Sequence, residues 1–178
     1  TSATSYALNA DHIEITSGVF QANSSAITAT GLASFKQTGG QIRGVSPSFN
    51  SPGTMEFTDV AVTGNFEVGN VVTPSSVTVN GPISSSGGDI KIRGKSAIAV
   101  NGTISNSGLA KDIMLWPDYE KDGIGTFSLT AGNAITGGRN VYIYGPTYEV
   151  AAVGDWLIEG NITAQTDHVY IGWVSGGG

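Results

Sequence analysis

The chain has 178 residues, a formal net charge of −6 and no cysteine. That length suits one domain with a sizeable core, and the missing cysteine excludes disulfides, thiolate metal sites and thiol nucleophiles. The eight basic residues are scattered, with only Lys91, Arg93 and Lys95 close together, so the stripe needed to hold nucleic-acid phosphates is lacking.

In chain order the first elements are short and alternating. His12-Ile13-Glu14-Ile15 leads to Gly18-Val19-Phe20, and Ala33-Ser34-Phe35 leads to Gly39-Gly40-Gln41-Ile42. Met55 to Val62 alternates again before Gly64-Asn65-Phe66. A phrase then occurs twice: Val79-Asn80-Gly81-Pro82-Ile83-Ser84-Ser85-Ser86-Gly87 and, 21 residues later, Val100-Asn101-Gly102-Thr103-Ile104-Ser105-Asn106-Ser107-Gly108. Asp89-Ile90-Lys91-Ile92 follows the first and Asp112-Ile113-Met114-Leu115 the second, each with the period of a strand that buries one face. The syntax returns at Gly132-Asn133-Ala134-Ile135 with Val141-Tyr142-Ile143-Tyr144, and at Gly160-Asn161-Ile162-Thr163 with Val169-Tyr170-Ile171-Gly172.

A unit this small cannot bury its own apolar face and must stack on its neighbours. The spacing predicts an all-β fold, a right-handed parallel β-helix of about eight coils spanning residues 1–178 as a single domain. At the usual strand spacing this is a rod of about 40 Å. Asn-Gly and Gly-Gly are expected to supply left-handed backbone at the corners. An antiparallel β-sandwich is the alternative, since it too has short strands and frequent turns. No apolar run reaches the roughly 18 residues that span a bilayer, so membrane insertion is not expected. The start at Thr1, without Met or leader, reads as a processed or excised piece.

The rhythm breaks at residues 116–123, Trp116-Pro117-Asp118-Tyr119-Glu120-Lys121-Asp122-Gly123. This insertion is expected to be a side loop, a solvated acidic turn that projects from the solenoid and adds little to its core. Asp118, Glu120 and Asp122 resemble the first half of a calcium loop, but the required Glu is replaced by Leu129, so no metal site is assigned.

Gly88-Asp89-Ile90-Lys91-Ile92, Val100-Asn101-Gly102-Thr103-Ile104 and the run Gly125-Thr126-Phe127-Ser128-Leu129-Thr130-Ala131-Gly132-Asn133-Ala134-Ile135 resemble the repeats of filamentous-haemagglutinin-type adhesins. The resemblance covers residues 76–172, while Ile13-Glu14-Ile15-Thr16-Ser17-Gly18-Val19-Phe20 is as similar to autotransporter passengers and pectate-lyase-like folds. It implies a secreted bacterial surface protein exported by the two-partner route, with a right-handed β-helical shaft. The secretion-domain sequence that opens such proteins is not found here, which points to a shaft segment or a small solenoid subunit.

Aromatic residues crowd the last third. In Val141-Tyr142-Ile143-Tyr144 the aliphatic pair shares one face and the tyrosines the other, and Tyr170 would extend the row by one coil. Tyr142, Tyr144 and Tyr170, joined by Trp156 or Trp173, are the candidate contact surface. An exposed aromatic row suits a sugar ring or a protein partner; the alternative is lateral packing against a loop or another subunit.

Catalysis finds little support. His12 and His168 lie at opposite ends, and alternation puts Glu56 and Asp59 on opposite sides of a strand, with Glu67 nearby in sequence. Asp155, Glu159 and Asp167 form the best carboxylate group for acid–base work. No catalytic residue and no cofactor are assigned. The expectation is a non-enzymatic segment of a secreted or cell-surface adhesin that contacts a host or neighbouring-cell glycan or protein, or other copies of itself. A self-assembling filament subunit is the alternative, and a carbohydrate-active β-helix, lyase or phage-type spike, the third.

Overall fold

A computed structural model describes residues 5–22, 26–30, 33–145 and 156–172, with side chains at 10–21, 33–145 and 156–172. The described residues form 22 strands and no helix. These strands make three sheets, an eight-stranded sheet 1 and the seven-stranded sheets 2 and 3. Every third strand joins the same sheet, and every pairing is parallel. The chain is therefore a right-handed parallel β-helix, the hand that parallel crossovers adopt. The described residues make seven full coils and the first strand of an eighth. The sandwich alternative fails on the parallel register.

One coil shows how sequence makes this shape. Ser76–Val79 lies in sheet 2, Ile83–Ser85 in sheet 3 and Ile90–Arg93 in sheet 1, after which Ala97–Val100 returns to sheet 2. The repeated phrase sets the register: Val79 pairs with Val100, and Ile83 with Ile104. Val79, Ile83, Ile90, Ile92, Val100, Ile104, Ile113 and Leu115 are all fully buried. Like side chains therefore stack in columns along the rod, and each full burial removes one aliphatic side chain from water, worth about 1.5–3 kcal/mol. In the earlier coils Phe35, Phe49, Phe57 and Phe66 fill the core, with adjacent rings 4.8–6.0 Å apart.

Gly40, in the pair Gly39-Gly40, takes the left-handed backbone expected of a corner, with φ 67°, but the Asn-Gly glycines serve another purpose. Gly81 and Gly102 lack positive φ; a Cβ would lie 2.0 Å from the Thr58 carbonyl oxygen at Gly81, and 2.3 Å from the Gly81 carbonyl oxygen at Gly102. They are small because successive coils touch there. Asn101 continues this corner, its amide donating to Asn80 Oδ1 at 3.2 Å.

A second ladder aligns the entry into sheet 1. The backbone N–H of Asn65 donates to Ser46 Oγ at 3.2 Å. Asp89 N–H then donates to Asn65 Oδ1 at 2.9 Å, and Asp112 N–H to Asp89 Oδ1 at 3.1 Å. Asn140 N–H continues to Asp112 Oδ1, and His168 N–H to Asn140 Oδ1, both at 3.1 Å. Each side chain satisfies the next coil's backbone donor, which the sheet itself leaves over at this corner.

The excursion between strands Ile113–Trp116 and Thr126–Leu129 occupies residues 117–125. Trp116, expected in the insertion, is instead the last residue of its strand. The expected solvated turn is also corrected at Asp118, which is buried and accepts the N–H of Gly123 at 2.9 Å and of Asp122 at 3.2 Å. Burial, with Asp122 beside it, pushes the Asp118 carboxyl above its ordinary pKa. Pro117, Gly123 and Gly125 are buried too, while residues 119–122 are exposed. The excursion is clamped to the solenoid rather than projecting freely.

Candidate functional site

The strand Val141–Tyr144 buries Val141 and Ile143 and turns Tyr142 and Tyr144 outward, as its alternation requires. On the next coil Tyr170 pairs with Tyr142, and their rings stack 4.9 Å apart at 4°. Tyr142 and Tyr144 lie 5.7 Å apart at 13°. Sequence reasoning missed Trp116, whose ring lies 4.6 Å from Tyr144 at 1°. The signal was present: Leu115 pairs with Ile143, so Trp116 and Tyr144 occupy the same outward position one coil apart.

The row is closed at one end by a cation. Arg93 pairs with Trp116 in register and places its Cζ 4.9 Å from the Trp116 ring centre and 5.5 Å from that of Tyr119. Tyr119 meets Trp116 edge-on at 6.4 Å. At the other end the His168 ring lies 5.6 Å from Tyr170. Six side chains, Arg93, Trp116, Tyr144, Tyr142, Tyr170 and His168, thus form an unbroken run across four coils.

This geometry limits what the row can bind. Coil spacing is close to the thickness of stacked rings, so rings at equivalent positions cover each other's faces. Trp116 has Arg93 on one face and Tyr144 on the other. A sugar ring stacks on an aromatic face, and most faces here are taken; what the row presents is edges and phenolic groups. Burial raises the pKa of both phenols, helped by Asp112 and Tyr170 at Tyr142 and by Tyr142 at Tyr144. They remain protonated donors at neutral pH.

Beside the row, Arg139 holds Asp112 in a two-pronged ion pair, Nε to Oδ1 at 2.8 Å and Nη2 to Oδ2. The Asn140 amide adds a third side-chain donor at 3.1 Å. Burial opposes charge on Asp112, but these donors outweigh it and hold the carboxyl below the usual carboxylate range. The partner of Arg139 is thereby settled within the chain.

Trp156 does not belong to this face. It lies in sheet 2 in register with the core residue Phe127, packs against its ring at 5.8 Å and donates its indole N–H to the Gly125 carbonyl at 3.2 Å. It lines the end of the core and takes no part in the aromatic row of sheet 1. Trp173 lies outside the described residues.

The groups considered for catalysis stay apart. His12 contacts Ser34 at 2.8 Å in the first coil, whereas His168 pairs with Asp167 in the last. Asp59 is bound to Arg43 at 2.8 Å, and Glu67 lies 3.7 Å from Lys91. Asp155 lies outside the described residues, and Glu159 is exposed. Among the described residues no three His, Cys, Asp or Glu side chains gather in a way that could hold a metal ion.

Fold and face together define the class, a right-handed β-solenoid with an aromatic row along one sheet. Comparison with family models, curated proteins and solved structures finds no match.

Proposed function

We propose that this chain is a non-enzymatic segment of a secreted bacterial surface adhesin, a rigid β-helical shaft whose sheet 1 contacts a partner on another cell. The observation that carries this reading is the unbroken run from Arg93 to His168, a preordered aromatic surface on a stiff support. Aromatic and arginine anchors dominate contact energetics when they are already rigid. The adhesin-like repeats support the extracellular setting, and the dispersal of histidines and carboxylates favours binding over chemistry. Occupied ring faces favour a protein partner over a sugar.

The test is attachment of protein-coated beads to host or neighbouring cells. Changing Tyr142 and Tyr144 together to Ser should weaken attachment at least tenfold while the β-type circular dichroism is retained. Unchanged attachment with an intact fold overturns the reading.

A filament subunit is the second reading, favoured by the last coil. Val169 and Ile171 continue core columns yet are 38% and 50% exposed, a surface that another copy could cover. Light scattering separates the two: a monodisperse monomer supports the shaft, growing rods the subunit.

A further inference from the structure

We propose that the ring face of Tyr144 beside Gly172, within the column that runs from Arg93 through Trp116, receives an arginine side chain from a basic segment of a protein partner. This rests on the reading of sheet 1 as a contact face and names its occupant.

The outward column runs Arg93, Trp116, Tyr144, Gly172. Its last described position has no side chain, and among the described residues a Cβ built on Gly172 would meet nothing within 4 Å. Tyr144 therefore has Trp116 against one face and, among the described residues, no ring against the other. Tyr170, two residues before Gly172 and stacked on Tyr142 at 4.9 Å, stands beside this gap. One coil spacing, about 4.8 Å, separates the column position of Tyr144 from that of Gly172, which suits a flat group lying parallel to the ring.

The other end of the same column shows which flat group the row accepts. Arg93 already covers Trp116, with Cζ 4.9 Å from the ring centre. A guanidinium is planar and weakly hydrated, is attracted to the negative face of a ring, and keeps its N–H groups free in its own plane for phenolic oxygens. A lysine ammonium is a hydrated point charge without a flat face to lay on the ring, so it fits less well. The net charge of −6 attracts a basic segment at long range. Arg139, a cation whose charge acts on Tyr142, is paired with Asp112, which limits local repulsion.

The experiment titrates the 178-residue chain with a Gly-Arg repeat peptide, the matching Gly-Lys peptide and a neutral glucan hexasaccharide, read by calorimetry and by the Tyr144 ring resonances. The arginine peptide should bind, shift those resonances and lose about three- to thirtyfold in affinity on Tyr144→Leu. Tyr144→Phe, which keeps the ring, should retain binding, and it guards against a general effect of substitution. Equal affinity for the arginine and lysine peptides would overturn the inference, because it would show attraction by charge alone. Binding of the hexasaccharide in place of the arginine peptide, abolished by Tyr144→Leu, would also overturn it, yet leave the contact face standing. Loss of the contact face itself is seen separately, in the attachment assay with Tyr142 and Tyr144 both changed.

Discussion

The rings of Trp116 and Tyr144, far apart in sequence, lie face to face at 4.6 Å and within 1° of parallel. The solenoid imposes this pairing, because neighbouring coils repeat at about the distance of two stacked rings. An isolated aromatic pair would slip to an offset or edge-on arrangement; here the parallel register holds the faces together. The same constraint makes the row rigid and determines which faces remain for a partner.

The core columns carry the fold, so a charge placed in one of them should be costly. Ile104, fully buried between Ile83 and Ile135, is the clearest site. Ile104→Asp should lose about 4 kcal/mol or more in urea unfolding, as expected for an unpaired buried charge. A loss below about 1 kcal/mol would contradict the columnar core.

Asp112 links stability to pH. Its folded carboxyl titrates below the unfolded one, so its contribution is fully present above about pH 3.9 and is lost as pH falls through the folded value. Asp112→Asn should cost about 1–3 kcal/mol at neutral pH, and the gap to the unaltered chain should close under acid. Melting curves from pH 3 to pH 7 test this; a gap that widens in acid would have the wrong sign.

The clamp at residues 117–125 separates two acids that look alike in sequence. Asp118→Ala leaves the N–H groups of Asp122 and Gly123 without their acceptor and should cost about 1–3 kcal/mol. Glu120 only forms an exposed pair with Lys95 at 2.7 Å, so Glu120→Ala should cost less than about 0.5 kcal/mol. Equal effects in thermal unfolding would show that Asp118 is not the clamp.

Trp156 provides the control for the contact face. Trp156→Ala removes the packing on Phe127 and the bond to the Gly125 carbonyl and should cost about 2 kcal/mol. Bead attachment below the melting transition should be unchanged. A tenfold loss of attachment without loss of stability would return Trp156 to the contact surface.

Much of this was legible in the sequence. The 21-residue echo of Val79-Asn80-Gly81 at Val100-Asn101-Gly102 sets both the coil length and the register, because a strand that slipped by one residue would turn its core face to solvent. The alternation in Val141-Tyr142-Ile143-Tyr144 likewise determines that the tyrosines point outward. What the sequence left open depends on neighbours in adjacent coils. Trp156-Leu157-Ile158 has apolar residues of both parities, so only its pairing with Phe127 and Leu129 decides that Trp156 faces the core. Asp118 and Glu120 are equally acidic in one dimension, and only the folded loop turns the first onto buried backbone donors and leaves the second in water. Periodicity states which way a side chain points; stacking of distant coils decides what it meets there.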